Sequence, residues 1–83
     1  MSAIILFRSL TFAQRGSRLL EAGGVPSTII KAPQSLTRHG CAYGVSLSDK
    51  KLNRALEILQ SRNVDHGRIY YIDNSGEYRE AGL

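Results

Sequence analysis

One cysteine and two histidines are the residues of this chain that could do covalent or metal chemistry. Cys41 lies in the run Arg38-His39-Gly40-Cys41-Ala42, and His66 stands well downstream between Asp65 and Gly67. A thiol reacts as its thiolate, which neighbouring cations and helix N-termini favour. Arg8, Arg38 and either His39 or His66 offer the cations, and a helix expected after Ser9 offers unpaired N–H groups. Gly40 lets a second molecule's backbone come close to the sulfur. His39, two positions from the thiol, is placed to act as a base, although an exposed loop histidine is the simpler reading. His66 reads as a solvated turn residue. No Cys or His pair stands at finger or catalytic-zinc spacing, so no metal is expected. No acid/base pair, Ser-His-Asp set or phosphate loop is present, which argues against a hydrolase or kinase.

The elements that must position these residues follow from apolar spacing. Ala3 to Phe7 is an apolar run of strand length, expected to be buried on both faces. From Thr11 to Ala22, Phe12, Gly16, Leu19 and Leu20 recur at helical spacing, with Ser9 or Thr11 to cap the start and Gly23-Gly24 to stop it. Ser27 to Lys31 is β-branched and suits an outer strand. Residues 32–40 have no period and read as a loop. Tyr43, Val45 and Leu47 alternate with small residues as a strand with one buried face. Ser48 caps a second helix, 49–62, with Leu52, Ala55, Leu56 and Leu59 on one stripe. Ile69 to Ile72 is a fourth strand, Asn74-Ser75-Gly76 a turn, and Glu77 to Leu83 a polar tail with room for a short edge strand.

The order βαββαβ predicts an α+β fold, a ferredoxin-like sandwich with a four-stranded antiparallel sheet and two helices on one face. It is expected to form one domain over 1–83, with the core about 3–73. Phe12, Leu19, Leu20, Tyr43, Val45, Leu47, Leu52, Leu56 and Leu59 are expected inside. Alternating strand direction then collects Arg8, Ser9, His39, Cys41 and His66 at one rim. Against a reactive role stands the phase of Cys41, in step with Tyr43, Val45 and Leu47, which suits a buried structural thiol.

Eleven Lys and Arg against seven Asp and Glu give a net charge of +4. The excess lies early, because residues 1–41 hold five basic side chains against Glu21 alone. The lone cysteine fits a reducing compartment, and no stretch is long enough to span a bilayer, so a cytoplasmic protein without a membrane partner is expected. An RNA-recognition module would need stacking aromatics where Cys41 and Ser46 stand, which argues against a nucleic-acid partner. An uncovered sheet face or edge leaves room for a homodimer.

The opening Ile4-Ile-Leu-Phe-Arg-Ser-Leu-Thr-Phe-Ala-Gln-Arg15, the Leu-Leu-Glu-Ala-Gly-Gly-Val-Pro26 helix end and Ala32-Pro-Gln-Ser-Leu-Thr-Arg-His-Gly-Cys-Ala-Tyr-Gly44 resemble the selenium/sulfur carrier-like family of small bacterial proteins. In that family an Ile/Val-Pro-x-x-Ile/Leu-Ser loop leads to a lone cysteine, commonly followed by Gly. This chain keeps Pro33, Leu36 and the cysteine, with Thr37 and Ala42 as departures. The resemblance implies that Cys41 holds a persulfide or selenosulfide, received from a donor such as a cysteine desulfurase and delivered to an acceptor enzyme, with no bound cofactor. Cys41 is then the carrier thiol assisted by His39 and Arg8, and Gly40, Ala42, Pro33, Arg38, Ser9 and His66 form its surroundings. The competing expectation is a regulatory or ligand-binding module of the same fold, with Tyr70 and Tyr71 as contact residues and Cys41 structural.

Overall fold

The computed structural model describes residues 2–81; the side chains of Arg38 and His39 lie outside the described residues. Strand β1, Ser2–Phe7, is the apolar run, and each of its residues from Ala3 to Phe7 is at most 1% exposed. A strand this apolar needs cover on both faces, and it lies in the middle of the sheet. Helix α1 is Leu10–Ala22, strand β2 Thr28–Lys31, strand β3 Tyr43–Ser48, helix α2 Leu52–Ser61, strand β4 Ile69–Ile72 and strand β5 Tyr78–Glu80. The sheet order is β2-β3-β1-β4-β5, and every neighbouring pair is antiparallel.

Alternation along β1 builds two apolar clusters. Ala3, Ile5 and Phe7 join Val45, Leu47 and Ile69 under Ala13 and Leu20 of α1 and Leu52, Ala55 and Leu59 of α2. Ile4 and Leu6 point the other way, toward Ala32 and Leu36. Ser9 caps α1, its Oγ accepting from the Phe12 N–H at 3.3 Å. Gly16 lets α1 approach β1, since a Cβ there would come within 2.8 Å of the Phe7 ring. Ser48 caps a 3-10 turn, Asp49–Lys51, that leads into α2.

Four sequence expectations need correction. Residues 32–40 are not a patternless loop, because Gln34–His39 forms a 3-10 helix. Pro33 starts it at φ −55, its carbonyl accepts from the Leu36 N–H at 2.8 Å, and the Thr37 hydroxyl donates to the Gln34 carbonyl. Leu36 is thereby pressed onto Ile4 and Leu6, so the second face of the sheet is partly covered and not open. The sheet has five strands, not four. Asp73 gathers the N–H groups of Ser75 and Glu77 on one carboxylate oxygen, and the Arg79 guanidinium donates to the other. That turn returns the chain along β4 as β5, whose residues are all exposed, so no apolar alternation marks it. Phe12 is not a core residue: it is 40% exposed, because Ala13, Gly16, Ser17 and Leu20 form the buried stripe of α1.

Candidate functional site

Cys41 lies just before β3, half-buried between Gly40 and Ala42. The Ala32 N–H donates to the Ala42 carbonyl at 2.9 Å, continuing the β2–β3 ladder one step past Lys31 and Tyr43. That bond ties the backbone beside the thiol to the edge strand. Cys41 packs with Ile4, Leu6, Ala32 and Leu36, whereas Tyr43, Val45 and Leu47 belong to the cluster under the helices. The phase expected from sequence is therefore overturned, since Cys41 sits outside the strand and on the opposite side of the sheet from Val45.

The facing wall is the segment before β4. The Gly67 N–H donates to the Leu6 carbonyl at 2.7 Å and the Leu6 N–H to the Arg68 carbonyl at 3.0 Å, so 67–68 prolongs the β1–β4 pairing. The sulfur rests against this backbone. A Cβ on Gly67 would fall 2.5 Å from Sγ, so no larger residue fits without moving the thiol.

Two hollows meet at the sulfur. The smaller, about 130 Å³, is lined by Arg8, Phe12, Cys41, Asp65, His66 and Gly67. The wider cleft, about 640 Å³, is bordered by Arg8, Gly40, Cys41, Gly67 and Arg68. Arg8 follows β1, Cys41 precedes β3 and His66 precedes β4. Because β1 runs antiparallel to both other strands, these ends coincide.

The charges around the thiol are mixed. Arg8 is exposed and makes no ion pair among the described residues. Arg68 Nη1 donates to both carboxylate oxygens of Glu80, at 3.0 and 2.9 Å. Asp65 adds one negative charge on the side of the smaller hollow. His66 Nδ1 donates to the Gly67 carbonyl at 2.7 Å, which in the neutral ring leaves Nε2 unprotonated and free to accept. Asp73, at the far end of β4, has its carboxyl lowered to about 2, first by the Ser75 hydroxyl and then by the Glu77 N–H.

Other residues named from sequence stand in different places. The Ser9 side chain is engaged in capping α1. Pro33 begins the 3-10 helix, Gly40 ends it at φ 83, and Ala42 is exposed. Neither Pro33 nor Ala42 lines either hollow. The side chains of Arg38 and His39 lie outside the described residues. Sequence reasoning missed Phe12, Asp65, Gly67 and Arg68. The spacing of Phe12 points to the core, and Gly67 stands next to His66 in what reads as a solvated turn. Its use as a close-packed wall depends on pairing with β1, which no local pattern announces.

Among the described residues no group of three or more His, Cys, Asp or Glu could hold a metal ion. No helix among them is long and apolar enough to cross a membrane. In comparison with known proteins, the family model of Se/S carrier protein-like proteins matches residues 2–71, which takes in both walls of the thiol site and stops short of β5. No curated protein and no solved structure matches.

Proposed function

Because this chain belongs to the Se/S carrier protein-like family, we propose that Cys41 carries a sulfur or selenium atom as a persulfide or selenosulfide, from a donor such as a cysteine desulfurase to an acceptor enzyme. The family's name itself records a proposed role. In the loading step the Cys41 thiolate attacks the outer sulfur of the donor's persulfide. The donor's S–S bond breaks, its inner sulfur leaves as a thiolate, and Cys41 keeps the outer atom. Delivery repeats the exchange with an acceptor thiolate, so no electrons are gained or lost overall and no cofactor is needed.

The observation that carries this reading is the half-buried thiol at the meeting point of two hollows that share Arg8. A fully buried thiol would be inert, and one projecting into solvent would lose its cargo to any passing thiol. The smaller hollow has room for an added atom, since even a water takes only ~30 Å³ of liquid volume. Arg8 borders both hollows and offers a cation to an approaching anionic group. His66, and His39 from the neighbouring turn, are the candidate bases, and Gly40 opens the backbone to an approaching partner. Arg38, Ser9, Pro33 and Ala42 act through the loop and the helix end that shape the site. We read β2-β3-β1-β4 with α1 and α2 as the ferredoxin-like arrangement, to which β5 is an addition.

The deciding experiment is intact-mass analysis after incubation with a cysteine desulfurase and cysteine, wild type against Cys41→Ala. A gain of one sulfur atom on the wild type alone is the expected result. Packing of Cys41 against the apolar cluster of Ile4, Leu6, Ala32 and Leu36 favours a second reading, a binding module with a structural cysteine. A thiol that stays unloaded, and resists alkylation until the chain is unfolded, would establish that reading instead.

A further inference from the structure

We infer that the wider cleft beside Cys41 seats an acidic protein segment, the one that carries the cysteine of the donor or acceptor; this rests on the carrier reading. The cleft's two charged residues, Arg8 and Arg68, are both cations. Arg8 is exposed and unpaired among the described residues. Arg68 already holds a carboxylate, that of Glu80, and both side chains of this pair are about half exposed. An ion pair so open to water contributes little, so an incoming carboxylate can replace Glu80 at small cost. The positive end of α1 lies beside Arg8, and no acidic residue occupies its first turn to offset it.

Shape agrees with charge. Nothing lies within 4 Å of a Cβ position on Gly40, and Gly67 presents bare backbone across the thiol. An extended segment can lie along these two glycines with its cysteine over Sγ and flanking Asp or Glu side chains on the arginines. Asp65 lines the smaller hollow and not the cleft, whose own charged lining is Arg8 and Arg68. A nucleic acid would satisfy the arginines but brings no thiol for exchange.

The test uses the full chain with Cys41 converted by 5,5′-dithiobis(2-nitrobenzoate) to its thionitrobenzoate mixed disulfide. A peptide thiolate attacks Sγ, the old S–S bond breaks, and thionitrobenzoate leaves as a coloured anion that reports the rate. Three peptides with a central cysteine flanked by Glu, Gln or Lys are compared after correction for their own thiolate fractions. The Glu peptide should react about tenfold faster than the Lys peptide at low salt, as steering by opposite charge predicts, and the gap should close at high salt. In Arg8→Gln and Arg68→Gln the Glu-to-Lys ratio should fall toward one. Equal rates in the wild type, or a preference that survives both substitutions, would overturn the inference. So would a single-stranded RNA that slows exchange at concentrations where the Glu peptide is only a substrate. Persulfide loading is read separately by mass: loss of loading with peptide preference intact would sink the carrier reading, and loading without preference would sink only the docking inference.

Discussion

The sulfur of Cys41 owes its position to an atom that is missing, the Cβ of Gly67. Adding that methyl in Gly67→Ala cannot be absorbed by the Leu6 side, whose carbonyl is already engaged by the Gly67 N–H. The thiol must move toward the cleft. Overpacking of this kind costs about 1–3 kcal/mol. We expect Gly67→Ala to melt lower and to react with iodoacetamide several-fold faster in the folded state; an unchanged alkylation rate would show that the sulfur is not seated on Gly67. At this scale the sequence disclosed which atom could react and some of the cations within reach. It did not disclose the wall, because a glycine after His66 looks the same whether it ends a helix or backs a thiol.

Periodicity carried the elements that bury a stripe, and failed for the two that do not. Ala55, Leu59 and their neighbours repeat at helical spacing because α2 has one apolar face, and Val45 and Leu47 alternate because β3 does. Among the described side chains of the 3-10 helix at Gln34–His39 only Leu36 is buried, so no period shows there. Its contribution is nevertheless large: Leu36→Ala should cost about 2–3 kcal/mol, the low part of the range for buried leucines. A chain of this size would then melt roughly 10–20 °C lower. A shift of only a degree or two would mean that the segment does not cover Ile4 and Leu6. Strand β5 depends instead on the Asp73 turn. The folded carboxyl lies near 2, below the ~3.9 of an unfolded Asp, so its contribution is complete above that higher value. The contribution is lost as pH falls from about 4 through 2. The amides of Ser75 and Glu77 should titrate with a midpoint near 2 by NMR, while those of β1 stay unmoved; a midpoint near 4 would place Asp73 outside the turn.

Among the described residues of the whole molecule, both apolar clusters are assembled almost entirely from residues before Asp73, with Ala81 the contribution from beyond it. Deleting 75–83 should therefore leave a cooperatively folded chain. The loss of the β4–β5 ladder and an exposed ion pair should cost about 1–2 kcal/mol by chemical denaturation. Collapse of the near-native circular dichroism spectrum would show β5 to be integral. The strand order could be reasoned from the sequence only as far as four segments with apolar residues to bury, since the fifth strand is held by polar contacts that leave no hydrophobic trace. The two walls of the thiol site also differ in how firmly they are held. Gly67 and Arg68 are bonded to Leu6 of β1, the most enclosed strand, while Cys41 is tied through Ala42 to Ala32 at the edge of the sheet. Amide hydrogens at Leu6 and Gly67 should then exchange only with global unfolding, and that of Ala32 through cheap local opening. That pattern of exchange would make the thiol the swinging half of a hinge whose other half is fixed. On the proposed carrier reading, a bound sulfur would be exposed to a partner by a fluctuation that never disturbs the core.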